Sequence, residues 1–352
     1  MRLVGRGHPA IRATHGKTLE IVTGPDLTER GTCVVAVDAT GPTARIAGPV
    51  RVTISVGGHS FALTALANSA WDPSGPAVIR RSPLRLPGTL ATRASAAAAD
   101  LPRDLATALR EPSTEVVVEL EPISGEEPTV VLFALDPAAP DDPRLAPELA
   151  AADLVVAEDE RAATLLGERV AHGPVAVTGR VLVVAARDLP GATVVDALAD
   201  ADVAIETVGL TSAQAAAAAS PSRGPVLIAR AEPELLRSAP TGTRLVLATP
   251  ADRVPALLRA AAEIRGVSRG VVVEEFAPPR RVDAHTELSG RDLVHVCLDA
   301  TARPDAVDPS VHAAISGLLA DGVATKTAAK ALAALTGWER RRAYASVLNW
   351  PT

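Results

Sequence analysis

The sequence predicts a protein of mixed α/β and α+β class, with a β-rich N-terminal block, a central α/β block and a small helical block at the end. Residues 1–123 carry short β-branched runs separated by glycine and proline, residues 129–300 alternate strand-like and helix-like runs, and residues 305–352 show only helical periodicity. The 352 residues are 47% hydrophobic, which is enough apolar material for more than one core. We therefore expect three structural domains with these boundaries.

The N-terminal block is predicted to hold many short strands and one helix. Polar and apolar residues alternate over Val50–Val56, as they do on a half-buried strand, and Gly57-Gly58 then predicts a two-residue hairpin turn. A helix is predicted over Ala96–Leu109, ended by Pro112. This pattern favours a barrel-like or a sandwich domain, and the choice between them stays open. The predicted strands are Leu19–Thr23, Cys33–Ala39, Val50–Val56, Ser60–Ala65, Ala77–Arg80, Thr89–Ala94 and Val116–Pro122.

The central block follows a short acidic linker, Ser124–Pro128, whose composition suits an exposed domain boundary. Strands that alternate with helices indicate parallel or mixed sheets covered by helices. The predicted strands are Thr129–Leu135, Leu154–Ala157, Val175–Val177, Val181–Ala185, Val203–Val208, Leu245–Ala248, Gly270–Glu274 and Leu293–Leu298. The predicted helices are Arg144–Ala152, Asp159–Gly167, Thr193–Ala199, Ser212–Ala219 and Val254–Arg265.

The last block is predicted to form three helices, Pro309–Ala320, Lys326–Leu335 and Glu339–Leu348, and the last two resemble a helix-turn-helix. An apolar stripe is expected on the middle helix, with basic side chains facing outward. A solvated cap and a nucleic-acid contact are both compatible with this pattern. The predicted stripe is Ala328, Leu332 and Leu335, and the outward cations are Lys326, Lys330 and Arg340–Arg342.

Charge and cysteine usage exclude several classes of protein. The net charge is −6, and residues 123–300 carry an excess of acidic side chains, so the central block should not attract nucleic acid. The two cysteines, Cys33 and Cys297, form neither a disulfide framework nor a metal motif. The sequence shows no signal-peptide core and no bilayer-length apolar run, so we expect residence in the cytoplasm and no membrane contact. Its alanine and arginine usage is typical of a GC-rich bacterial genome.

Residues 319–344 read LADGVATKTAAKALAALTGWERRRAY and resemble the helical tail of the small-subunit rRNA methyltransferase I family, which methylates a cytidine ribose 2′-O. Three upstream segments continue the resemblance, at residues 151–161, 243–253 and 270–275. It implies a tetrapyrrole-methylase-like fold of two α/β subdomains with S-adenosylmethionine between them. It also implies RNA or the ribosome as a partner of the basic C-terminal helices. The matching residues are Glu158, Asp159 and Arg161 in the first segment, and Pro250 and Arg253 in the second.

The same resemblance places the cofactor at loops that follow the strands, and these loops depart from the family pattern. The asparagine of the first family loop is absent, and Arg187 and Leu189 add bulk where the family has small residues. We therefore expect lost or weakened catalysis and name no catalytic residue. Two alternatives remain: an active RNA 2′-O-methyltransferase with atypical loops, and a non-enzymatic scaffold or binding protein that acts through the N-terminal domain. Homodimerisation is left open. The residues expected at the cofactor are Asp136, Asp188, Gly191, Gly209 and Ser212.

Residues 1–122 resemble a family of unknown function that is common in archaea. Because the family name gives no activity, any function has to be inferred from the side chains of this block. We predict that six polar residues line one cleft. A phosphate or RNA-end site is one interpretation, and hydrogen bonding in turns and at strand edges is another. A metal site is disfavoured because the spacing fits no standard ligand motif. The six residues are His8, Arg12, Thr14, His15, Glu20 and Arg30.

Overall fold

The computed structural model describes residues 1–350 except 29–30, 42, 126, 137, 140, 172, 187, 223, 241, 289, 300–308, 337–338 and 349. The chain divides into two compact units. The first comprises Met1–Pro221 and Val273–Arg280, and the second comprises Ser222–Val272 and Arg281–Thr352. Strands and helices occur in both units, so the predicted mixed α/β class is confirmed. No helix in the described ranges combines the length and apolarity that a bilayer crossing needs.

Eight strands close into a barrel at the start of the first unit, in the order β1-β3-β2-β6-β7-β5-β4-β8. The alternation predicted for Val50–Val56 is observed, because Val52, Ile54 and Val56 are buried while the residues between them are not. Gly57 and Gly58 have φ of 54° and 84°, so the predicted hairpin turn joins β4 to β5. The strands are β1 Arg2–Arg6, β2 Thr18–Ile21, β3 Val34–Thr40, β4 Gly48–Val56, β5 His59–Ala67, β6 Ala77–Arg80, β7 Thr89–Thr92 and β8 Glu115–Pro122.

The single helix predicted over Ala96–Leu109 is wrong. A 3₁₀ turn covers Ala98–Asp100, and helix α1 covers Arg103–Ala108. Between them Leu101 is extended, with φ −62° and ψ 135°. The residue before a proline is disfavoured in the helical region, so Pro102 separates the two pieces.

Four parallel strands form the second layer of the first unit, in the order β10-β11-β9-β12. The predicted strand Val175–Val177 is wrong, because these residues are irregular and Val175 donates one hydrogen bond to the Thr193 carbonyl at 2.7 Å. This run of three residues is partly exposed and follows Pro174, which has no N–H to donate. The elements are β9 Thr129–Ala134, α2 Leu145–Ala151, β10 Leu154–Ala157, α3 Glu160–Leu166, β11 Arg180–Ala185, α4 Val195–Ala199, β12 Ala204–Val208 and α5 Ser212–Ala218.

A second, mixed sheet has the order β13-β14-β17-β15-β16, with β14 parallel to β13 and antiparallel to β17. The sequence did not predict β13, α6 or β16. Strand β13 lies at the sheet edge and exposes Leu227 and Ile228, so it lacks the burial pattern of a half-buried strand. The elements are β13 Val226–Arg230, α6 Pro233–Ser238, β14 Arg244–Pro250, α7 Val254–Arg265, β15 Arg269–Val273, β16 Arg280–Asp283 and β17 Leu293–Leu298.

Three helices end the chain, as the sequence predicts: α8 Pro309–Ala320, α9 Thr325–Thr336 and α10 Arg340–Leu348. The predicted apolar stripe is one turn too long. Leu335, near the end of α9, is 58% exposed and lies beyond the shared core. That core comprises Ile315, Ala328, Ala329, Leu332, Ala343 and Val347.

Candidate functional site

The loops after β9, β11 and β12, together with the first residue of α5, hold the five residues predicted to contact a cofactor. Carboxyl ends of parallel strands meet at one sheet edge, where ligands of such folds bind. Asp136 follows β9 and is exposed, and its carboxylate accepts a hydrogen bond from the Ala138 N–H at 2.8 Å. Asp188, in the loop after β11, is also exposed. Neither carboxylate is buried among groups that would fix it toward a ligand.

Glu158, at the end of β10, fixes the loop that follows β11. Its carboxylate accepts hydrogen bonds from the Gly191 N–H, the Thr193 N–H and the Thr193 hydroxyl, each at 2.6 Å. Hydrogen bonds to an ionised acceptor are stronger than neutral ones. The backbone N–H groups of Gly191 and Thr193 therefore bond to the Glu158 side chain and do not point toward a ligand.

Asp159 has a second structural task at the same edge. Its carboxylate caps α3 by accepting from the Ala162 N–H at 2.8 Å, and it accepts from the Ala186 N–H at 2.7 Å. Arg161 lies in the first turn of α3 and is half-buried. Glu158 and Asp159, two residues that carry the family resemblance, thus hold this edge together.

The loop after β12 turns sharply at Gly209, whose φ is 77°. A Cβ at this position would lie 2.5 Å from the Ala134 carbonyl oxygen, so a larger residue does not fit. Thr211 then caps α5 in a capping box with Gln214. Ser212 is half-buried beside a cavity of about 350 Å³. The described lining of this cavity is Arg85, Thr207, Leu210, Thr211, Ser212, Ala215 and Val273–Pro278.

A barrel loop reaches the same cavity. The Arg85 N–H donates to the Phe276 carbonyl at 2.6 Å, and one Arg85 guanidinium nitrogen donates to the Thr207 carbonyl at 3.4 Å. Phe276 has a φ of 62°, in the left-handed region that non-glycine residues rarely adopt. The barrel therefore supplies part of the wall of a cavity beside the parallel sheet.

Five polar residues form what we call the buried charge cluster: Ser69, Arg85, Glu148, Arg180 and Glu206. Arg180 contacts Glu206 through Nη1 and Glu148 through Nη2, each at 2.8 Å. Arg85 reaches Glu206 at 2.7 Å, and the Ser69 hydroxyl donates to Glu148 at 2.6 Å. Because Ser69 and Arg85 belong to the barrel and the other three to the sheet layer, the cluster joins these two parts of the first unit.

The cluster is desolvated, with side-chain exposures of 6% for Arg180 and 3% for Glu206. Burial opposes ionisation of Glu206, but the Arg180 and Arg85 guanidinium groups outweigh it and lower the pKa of Glu206 to about 2. The Arg180 Nε has no hydrogen-bond partner among the described residues. This cluster was not predicted from the sequence, although charged residues within the apolar strands β11 and β12 are a signal for it, because buried charges are usually paired.

The C-terminal helices present a concave basic surface, the basic groove, with a volume of about 550 Å³. Its floor includes Ala329, which belongs to the three-helix core. The described residues that line it include four cations and no carboxylate. The rest of this lining is Lys326 and Lys330 from α9, and Arg340, Arg341 and Tyr344 from α10.

The two histidines predicted for the N-terminal cleft act as turn acceptors. His8 Nδ1 accepts from the Ala10 N–H at 3.1 Å. His15 Nδ1 accepts from the Thr18 N–H at 3.1 Å and lies 2.8 Å from the Thr18 hydroxyl. Within the described residues no hydrogen bond joins His8 to His15.

The other predicted cleft residues lie in the same loop or nearby. Arg12 and Thr14 are exposed, and the Thr14 N–H donates to the Thr32 carbonyl. Glu20 accepts from the Cys33 thiol at 3.1 Å, and burial together with this carboxylate raises the pKa of Cys33 to about 11. Arg30 lies outside the described residues. In the described ranges no three histidine, cysteine or acidic side chains are grouped to hold a metal ion.

The second matching segment lies in the second unit. Pro250 is the last residue of β14, and Arg253 is exposed just before α7. The parallel sheet belongs to the first unit.

A family model matches the N-terminal part of the chain. Residues 3–123, which cover the barrel strands except Arg2, match the family model "Domain of unknown function (DUF371)". No curated protein matches the chain. The crystal structure of a cobalamin biosynthesis precorrin-6Y methylase from Archaeoglobus fulgidus is similar at 16% identity, over 51% of this chain and 100% of that chain, with a TM-score of 0.19. Residues 3–123 are thus the part of the chain that a family model describes.

Proposed function

We propose that this protein binds RNA through the basic groove. We also propose that its α/β module resembles S-adenosylmethionine-dependent rRNA methyltransferases but has lost or weakened catalysis, with weak or lost cofactor binding. The observation that carries the proposal is the groove itself, a concavity bordered by Lys326, Lys330, Arg340 and Arg341. Clustered cations on one face are the electrostatic footprint of a nucleic-acid site.

The spacing of the cations supports phosphate binding. Lys326 and Lys330 are four residues apart on α9, so they share one helix face. Arg340 and Arg341 start α10 and border the same concavity. The resemblance of this tail to that of an rRNA methyltransferase family supports RNA over other polyanions. A few such contacts give weak, salt-sensitive affinity.

The loops of the parallel sheet support the loss of cofactor binding. Backbone donors that could approach a ligand, at Gly191 and Thr193, already bond to Glu158. Methyl transfer needs the methyl donor held in line with its acceptor. Loop N–H groups that already bond to Glu158 cannot hold the donor in this way, so the rate of methyl transfer should be low.

A binding experiment tests the RNA half of the proposal. Fluorescence anisotropy with a labelled small-subunit rRNA fragment should show that the double variant Lys330→Ala, Arg341→Ala binds at least about tenfold more weakly than the wild type. The matched control, Arg103→Ala with Arg110→Ala, removes the same charge from exposed positions near α1 and should bind as the wild type does. Equal losses in both double variants would show nonspecific attraction and contradict the proposal.

Calorimetry with S-adenosylmethionine tests the other half. We expect no saturable heat at micromolar cofactor. Saturable binding together with methylation of small-subunit rRNA would instead support the alternative, an active RNA 2′-O-methyltransferase with atypical loops.

A further inference from the structure

Tyr344 is the only tyrosine of the chain, and it lies in the wall of the basic groove. This residue is 42% exposed and is not among the described residues that form the three-helix core. Within the described residues its hydroxyl has no hydrogen-bond partner. A large aromatic ring that contributes to neither core nor hydrogen bonding is available to a ligand.

The residues beside the Tyr344 ring indicate which class of ligand the groove binds. Lys330 and Arg341 line the groove with Tyr344, so an aromatic face lies among positive charges. Single-stranded nucleic acids are recognised by this combination, in which cations hold the backbone and aromatic rings stack on bases. In a duplex the base faces are already stacked and inaccessible to a side chain, so duplex RNA would leave Tyr344 unused.

We propose that the basic groove takes single-stranded RNA, with one unpaired base stacked on Tyr344. The adjacent phosphates lie on Lys326 and Lys330 of α9 and on Arg340 and Arg341 of α10. This inference rests on the proposed RNA binding and specifies which form of RNA the groove accepts.

Three RNAs of one length separate stacking from charge: an unstructured single strand, the same sugar–phosphate chain without bases, and a duplex. The wild type should bind the single strand about tenfold more tightly than the base-free chain, because stacking on an aromatic side chain strengthens binding by roughly this factor or more. Tyr344→Ala should remove that preference, whereas Tyr344→Phe should keep it. Leu348→Ala, one turn further along α10 and outside the described lining of the groove, should bind as the wild type does.

Fluorine NMR gives a direct signal from the ring. Because the chain has one tyrosine, 3-fluorotyrosine labelling yields a single resonance. That resonance should shift with the single strand and stay in place with the base-free chain. Circular dichroism should show that Tyr344→Ala folds, because alanine favours a helix.

The outcomes distinguish the two proposals. If the wild type binds all three RNAs equally, or if Tyr344→Ala keeps the preference for bases, the stacking inference is overturned while RNA binding stands. If the wild type binds none of them, the proposed function fails and the inference fails with it.

Discussion

The buried charge cluster and the basic groove use charged side chains in opposite ways. In the cluster, Arg180 has carboxylates on both terminal nitrogens, and water is excluded from the pairs. In the groove, Lys330 and Arg341 are exposed and have no carboxylate beside them in the described lining. Desolvated pairs hold a structure together but are unavailable to a ligand, whereas solvated cations add little to stability and attract anions. The environment of a charge, more than its presence, indicates its role.

The edge of the parallel sheet follows the first pattern. The carboxylates of Glu158 and Asp159 accept hydrogen bonds from backbone N–H groups at this edge, so these residues stabilise the loops and are not available to a ligand. The comparison predicts that substitutions in the first unit affect stability, while substitutions in the groove affect binding.

The largest expected effect is that of Glu206→Gln. Glutamine keeps the shape but leaves Arg85 and part of Arg180 without a counter-charge in a dry site, so the free energy of unfolding should fall by about 3 kcal/mol. Urea denaturation measures this. Glu119→Gln, which removes an exposed ion pair with Arg2, is the control and should change stability by less than about 1 kcal/mol. If both variants lowered the free energy of unfolding equally, the proposed difference between buried and exposed charges would be contradicted.

The pH dependence of the same variant sharpens the comparison. Because the pKa of Glu206 is lowered to about 2, its stabilising charge is fully present above the ordinary carboxyl pKa and is lost as the pH falls toward 2. The stability difference between wild type and Glu206→Gln should therefore be constant near neutrality and shrink below about pH 4. A difference that persists unchanged at acid pH would mean that packing, rather than charge, causes the loss.

A smaller effect is expected at the sheet edge. Glu158→Ala removes the acceptor of three hydrogen bonds and should lower the free energy of unfolding by about 1–3 kcal/mol. Hydrogen exchange should accelerate at the Gly191 and Thr193 amides. Glu160→Ala, an exposed change in the first turn of α3, should leave both amides protected. If exchange is unchanged in Glu158→Ala, the loop is held by other contacts.

The sequence predicted those strands, turns and helices that depend on residues close together in the chain. Period-two alternation marked β4, a Gly-Gly pair marked its turn, and the helix predicted at Val254–Arg265 has the observed bounds. The edge strand β13 was missed because its run of Val226, Leu227 and Ile228 does not alternate with polar residues, although Leu227 and Ile228 are both exposed. The sequence left the barrel undecided against a sandwich, because closure depends on pairing between β1 and β8, which are far apart in the chain.

The candidate site was predictable in part. The basic helices could be read from sequence because their cations recur at helical spacing, and the helices fold as expected. The buried charge cluster could not be assembled, since Arg85, Arg180 and Glu206 come from distant segments. The concavity around Tyr344 likewise depends on how α9 packs on α10, which no local pattern specifies.

The salt dependence of RNA affinity tests the central claim most directly. For single strands, log K falls with log salt concentration with a slope of about −0.7 for each phosphate neutralised, so the wild-type groove should give a slope approaching about −3. The double variant Lys330→Ala, Arg341→Ala should reduce the magnitude of that slope by about 1.4, while Arg103→Ala with Arg110→Ala leaves it unchanged. A slope that is the same in wild type and in the groove variant would contradict the account, because RNA would then be bound elsewhere on the protein.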